Sequence, residues 1–339
     1  MKQDLIQLQS RNAVMFFRYS LLLLAFIFLS CERLTDFDDR DLQIPPGVPQ
    51  GLRVYAAYDG AVDLVWLPNV EPGFARYRIF RSIDDSLTFS FIDSTTRTFY
   101  YDDSLDYEKK YYYYITAVNS AGISSNPSNI VSAIPENLFP PITPRFLNVF
   151  GRNWENEKYF TLQWQKSFES DIAGYLIYRN ENEIFETDST NLIGFSIDNK
   201  FIDNDSSLNI MQDYFYRIKS IDKGGLTSNP GNLSSDIIHD IPQVIFPLNN
   251  SETNYFQNFI IKTLNRPARY KIVLQTNQFF GEIWEREVNS DIINDTLSIP
   301  FNASFIFTNR TYYWRIITFS KSGFEPNSIS PLYQFYLKQ

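Results

Sequence analysis

The chain has 339 residues, 44% apolar and 17% aromatic, with 30 Phe and 22 Tyr against 13 Gly. That composition excludes a disordered or low-complexity polypeptide, and the length allows two or three domains, each with its own core. A formal charge of −9 with no basic stripe opposes a phosphate backbone and excludes nucleic acid as a partner, while a single Cys excludes an intramolecular disulfide and a cysteine-cluster metal site.

The first element is an apolar run of nine residues, Leu21 to Leu29, with Arg18 before it and Ser30-Cys31 after it. A bilayer span takes about 20 apolar residues, so the run is too short to cross and fits the core of a signal peptide over residues 1–30. Met15 offers an alternative start that would shorten the leader to an ordinary length. Phe28-Leu29-Ser30-Cys31 resembles the bacterial lipobox, with Phe28 standing where Leu is usual. The resemblance implies cleavage before Cys31, a palmitate-bearing lipid on its sulfur, and a mature protein held at a bacterial cell envelope membrane, the outer membrane foremost. Residues 31–44 (CERLTDFDDRDLQI) then form an acidic tether.

Beyond the tether the sequence repeats. Tyr111–Asn129 aligns without a gap to Tyr214–Asn232, matching Ile115 to Ile218, Gly122 to Gly225 and Ser125-Asn126-Pro127 to Ser228-Asn229-Pro230. A third copy begins at Tyr312 (YYWRIITFSKSG). Upstream, Trp66 and Trp164 each precede a Tyr-led segment, at Tyr77 and Tyr175, by the same spacing. Alternate apolar positions such as Leu64 and Trp66, Tyr77 and Ile79, and Tyr111, Tyr113 and Ile115 predict strands with one buried face. Asn, Asp, Gly and Pro clusters separate them, and no helical period intervenes, which predicts antiparallel β-sandwiches.

Pro45-Pro46, Leu52, Leu64-Val65-Trp66, Tyr77-Arg78-Ile79, Leu105, Tyr111 and Ile115-Thr116-Ala117-Val118-Asn119 together resemble a fibronectin type III domain, and Trp164, Tyr175, Leu208, Tyr214 and Ile218 repeat the pattern. The resemblance implies an all-β, immunoglobulin-like tandem array: domain one over 45–135, domain two over 140–242, and a diverged sandwich over 243–339 that lacks the second-strand Trp. It also implies that Trp66 and Trp164 anchor their cores and that Tyr111 and Tyr214 form tyrosine corners, each hydroxyl bonding back to the backbone. The fold itself says nothing of function.

Residues suited to chemistry are few. The chain has one His, His239, which cannot build a His-rich metal site and is expected to be structural. The pairs Asp102-Asp103 and Asp203/Asp205 could in principle serve glycoside hydrolysis, but they stand where this fold turns, and turn use is expected. Asp203-Asn204-Asp205 lacks the Gly and Glu of a calcium loop. No metal or cofactor is expected.

Two aromatics off the core pattern, Trp154 in GRNWENEK and Trp284 in GEIWERE, are the candidate ligand-binding residues. Ser86, Ser104 and Thr296 follow Asp and precede Leu, a pattern that resembles the O-glycosylation site of one bacterial group and is also ordinary turn chemistry. The expected function is a non-catalytic, surface-presented scaffold for adhesion or for assembly with another envelope protein. A glycan-binding accessory lipoprotein of a polysaccharide uptake system is the alternative, and a hydrolase with its site in the last domain stands third.

Overall fold

The computed structural model describes residues 43–302, 306–320 and 323–339. The signal peptide, Cys31 and nearly all of the tether lie outside the described residues. The described chain is all-β: apart from one residue in a 3-10 turn it consists of strands, turns and loops.

The chain divides into two compact units. In the first, β1 (Arg53–Tyr58), β2 (Ala61–Val65) and β5 (Phe99–Asp102) form a three-stranded sheet in the order β1-β2-β5. Facing it, β3 (Phe74–Ile83), β4 (Ser90–Thr95), β6 (Tyr111–Asn119) and β7 (Val131–Ala133) form a four-stranded sheet in the order β4-β3-β6-β7. Val62 and Leu64 from one sheet and Tyr77, Ile79, Tyr113 and Ile115 from the other are almost fully buried, which is the alternation of the sequence made physical. Trp66 follows β2 directly and meets Tyr77 edge-on, ring centroids 5.2 Å apart.

The second unit opens with the same plan. β8 (Asn148–Trp154), β9 (Glu157–Gln163) and β12 (Lys200–Asp203) form one sheet, and β10 (Ile172–Asn180), β11 (Leu192–Ser196), β13 (Asp213–Asp222) and β14 (Ser234–Ile237) form the other, in the order β11-β10-β13-β14. Trp164 meets Tyr175 edge-on at 5.2 Å, repeating the first sandwich. The Tyr214 hydroxyl accepts the Asn209 amide at 2.9 Å, the bond a tyrosine corner requires.

A third sandwich completes the second unit. β15 (Gln243–Phe246), β17 (Asn258–Lys262) and β20 (Thr296–Pro300) form its small sheet in the order β15-β17-β20. β16 (Ser251–Thr253), β18 (Ala268–Gln275), β19 (Glu282–Ser290), β21 (Arg310–Ser320), β22 (Ser328–Ile329) and β23 (Tyr333–Leu337) build the other. Buried Thr263 stands where the earlier repeats have their Trp, and the large indole of this core is Trp314 on β21, packed against Phe259 and Tyr333. Tyr312 forms this copy's corner, its hydroxyl accepting the Phe307 amide at 2.7 Å.

The second and third sandwiches do not merely follow one another. β22 pairs with β8 in parallel, Ser328 beside Asn153, so one sheet runs through both.

Candidate functional site

Most of the chemically capable side chains are committed to holding the sandwiches together. Asp102 is buried at the end of β5, where Arg81 on β3 donates to both its oxygens at 2.9 and 3.0 Å and the Tyr113 hydroxyl on β6 donates at 2.6 Å. The second sandwich repeats this triad: Arg179 donates to Asp203 at 2.9 and 2.7 Å, and the Tyr216 hydroxyl donates at 2.8 Å. Burial, and then the adjacent carboxylate, push both tyrosine hydroxyls well above their usual range. Asp102 and Asp203 each tie the small sheet to the large one across the core, which corrects the turn expectation for Asp102; Asp203 does both, its Oδ1 also accepting the Asp205 amide at 3.3 Å. Asp205 does belong to the following turn, accepting the Ser207 amide at 2.8 Å.

His239 is buried, its Nδ1 3.0 Å from the Thr318 hydroxyl. Burial, and then the Arg266 charge, lower its pKa to about 4, so it is a neutral ring at neutral pH. Among the described residues no cluster of three or more His, Cys, Asp or Glu side chains is placed to hold a metal ion.

The two candidate tryptophans are both half-buried, and each is engaged. Trp284 lies on β19, stacked on Phe259 at 5.6 Å and edge-on to Phe301 at 5.0 Å. It belongs to the edge of the third core, a correction to its reading as a peripheral ring available to ligand. Trp154 ends β8 rather than lying in a loop, and it covers the Arg152 guanidinium at 5.2 Å from its ring centroid. Ser86, Ser104 and Thr296 are all exposed. Asp85 Oδ1 accepts the Leu87 and Thr88 amides at 2.7 Å each, which is turn chemistry around Ser86.

Open aromatic surface occurs elsewhere, on the outer face of the small sheet of the first sandwich. Because Val62 and Leu64 point inward, Asp63 and Val65 point outward, and the register sets Tyr101 beside Asp63 and Phe99 beside Val65. Arg53 pairs with Val65 from the other side, and Tyr55 occupies a bulge in β1. Tyr55 is 72% exposed, Tyr101 55% and Phe99 49%. The Arg97 guanidinium sits 5.4 Å from the Phe99 ring, and burial raises the Asp63 pKa. The water-facing side of an antiparallel sheet is ordinarily polar, so three open rings around one carboxylate form a surface suited to a partner. Sequence reasoning passed over these rings because Phe99-Tyr100-Tyr101 is aromatic at every position and gives no alternation to read.

No family model matches the sequence, and no curated protein matches it. Among solved structures, the chain is similar to the chicken CNTN1 FN1-FN3 domains at 16% identity, covering 87% of this chain and 100% of that one, with a TM-score of 0.37. It is also similar to the fibronectin type III domain of human fibronectin type III domain containing protein 3 at 22% identity, covering 28% of this chain and 90% of that one, with a TM-score of 0.25. Paired three- and four-stranded sheets, a repeated Trp–Tyr core contact and tyrosine corners make this an all-β array of fibronectin type III-like sandwiches.

Proposed function

We propose that the chain is a non-catalytic lipoprotein of the bacterial cell envelope, tethered through lipid on Cys31, whose sandwiches present a binding surface to another envelope protein. The observation that carries the reading is the open aromatic face of Tyr55, Phe99 and Tyr101 on a rigid sheet. Such rings supply large contact area at small conformational cost. The lipobox-like segment supports the anchoring. The glycan-binding alternative rests on the same face, since tyrosine rings beside a carboxylate and arginines can stack on sugar rings and bond their hydroxyls. Trp284 is packed on the third core, while the half-buried Trp154 stays a second candidate ring for this alternative.

The test compares the soluble 45–339 fragment with its Tyr55→Ala/Phe99→Ala/Tyr101→Ala variant, in cross-linked pull-downs from envelope extract and on a glycan array. The scaffold reading expects an envelope protein retained by the wild type and lost with the variant. Array binding that the variant abolishes would move the reading to glycan capture, and equal retention by both proteins would remove this face from consideration.

A further inference from the structure

The hairpin that begins the second sandwich is longer than its counterpart in the first. Fourteen positions separate Leu52 from Trp66, and seventeen separate Leu147 from Trp164. Both hairpins close on two residues, Asp59-Gly60 and Glu155-Asn156, so the added length lies in the strands themselves. It carries the β8–β9 ladder on through the pairs Asn153–Lys158 and Trp154–Glu157.

The end of this hairpin, from Arg152 onward, is what the third sandwich touches. The Asn153 amide donates to the Asn327 carbonyl at 2.8 Å, and its side chain donates to the His239 carbonyl at 2.8 Å. Arg152, held between the rings of Phe150 and Trp154, donates to Glu325 at 3.1 Å and to the Pro326 carbonyl. Behind this contact lies a buried polar chain: His239 to Thr318, Thr318 to Ser328 at 2.6 Å, and Ser328 to the Asp240 carbonyl at 3.0 Å. Asn327 accepts the His239 amide at 2.7 Å and donates to the Ile237 carbonyl at 2.7 Å. Within the second sandwich, a Cβ at Gly151 would stand 2.1 Å from the Ile237 carbonyl oxygen on β14, so only glycine brings β8 this close to the carbonyl that Asn327 also reaches. At a separate point Arg266 makes a two-pronged bond to Asp213, and Met211 packs against the third core.

We propose that the extended β8–β9 hairpin is a splint that makes the second and third sandwiches one cooperative, rigid body, instead of two beads on a flexible linker. Buried hydrogen bonds such as those of Asn327, Thr318 and Ser328 resist separation, because opening the joint strands polar groups out of water until it fully hydrates. A continuous sheet adds stiffness that a linker lacks. The exposed Phe279 and Phe280 in the β18–β19 loop are thereby held at a set orientation to the second sandwich. This inference is independent of which partner the protein binds.

Hydrogen exchange of the full mature chain in increasing denaturant tests it. The amides of β10 and β13 and those of β18 and β21 should merge onto a single unfolding isotherm. In Arg152→Ala/Asn153→Ala the isotherms should separate, with exchange in β18 and β21 rising at least tenfold over that in β10 and β13. Two separate isotherms in the wild type would overturn the proposal, as would a single isotherm that the double variant leaves intact.

Discussion

The Tyr113 hydroxyl donates to Asp102 at 2.6 Å while Arg81 grips the same carboxylate, and the identical arrangement recurs as Tyr216, Asp203 and Arg179. In the third sandwich the same three register positions hold Trp314, Ile299 and Leu274, all fully buried. One architecture thus fills the same internal space either with a hydrogen-bonded ion pair or with two aliphatic side chains and an indole whose N–H has no partner. The two solutions are of comparable worth, because desolvating charges offsets much of their attraction.

Removing one member of the triad should be costly where replacing all three is not. Asp203→Ala leaves the buried Tyr216 hydroxyl without its acceptor and Arg179 with only the longer contacts to Asp205 and Ser207, and is expected to destabilise its sandwich by about 3 kcal/mol. The triple replacement Arg179→Leu/Asp203→Ile/Tyr216→Trp should lie within about 2 kcal/mol of the wild type after repacking. Denaturant melts of the three proteins check this, and a triple variant as unstable as the single one would contradict it.

Acid should act on the joint between the second and third sandwiches through two opposed groups. Burial, against the Gly151 amide and the Arg152 charge, raises Asp236 to about 6; it also faces Asn327. The folded state then holds that proton more tightly than the unfolded chain, so this contribution to stability is present in acid and is lost as pH rises from about 4 to about 6. His239, lowered to about 4, works the other way: its contribution is absent in acid and is gained as pH rises from about 4 to about 6.5. Each spans about 3 kcal/mol, and they nearly cancel. Stability measured against pH for His239→Asn, relative to wild type, should fall through this window, and for Asp236→Asn it should rise.

The two half-buried tryptophans should separate on mutation. Trp284→Ala removes a ring stacked on Phe259 and is expected to cost about 2–3 kcal/mol, seen as a lower melting midpoint. Trp154→Ala should cost only about 1 kcal/mol, since what it loses is cover for Arg152 and an edge contact with Tyr159. Equal losses would mean that the two rings are buried alike.

Replacing Cys31 by Ser should abolish incorporation of labelled palmitate and release the protein from membranes, because the proposed anchor is the lipid on that sulfur. Equal labelling of both proteins would remove the anchoring proposal.

The strands and their inward faces were legible from alternation, since Leu64, Tyr77, Tyr113 and Ile115 are apolar at every second position and buried together. The core roles of Trp66 and Trp164 were legible from their repeated spacing to Tyr77 and Tyr175. The sheet-tying roles of Asp102 and Asp203 were not legible because a charged residue beside a turn carries no local sign of the Arg two strands away that pairs with it. Trp284 was misread for a related reason: β19 is polar along most of its length, and only the third dimension brings Phe259 beneath it. The joint was invisible because hairpin length has meaning only once the neighbour that fills it is known.

The replacement of the triad in the third sandwich bears on how neighbouring look-alike domains avoid exchanging parts. Tandem copies of one fold are prone to misassembly, in which a strand of one copy inserts into the next. Here the strands carrying Tyr216 and Trp314 occupy matching places in adjacent sandwiches. If β21 took the place of β13, Asp203 would face an indole in place of its hydroxyl donor; if β13 entered the third core, the Tyr216 hydroxyl would be buried against Ile299 with nothing to bond. The second exchange strands a polar group that the correct pairing satisfies, a penalty of about 1–3 kcal/mol, while the first deprives Asp203 of its hydroxyl bond and leaves it held by Arg179 alone. The two ways of filling one space therefore disfavour exchange of strands between the second and third sandwiches, whereas the first and second share the same triad and are not told apart by it.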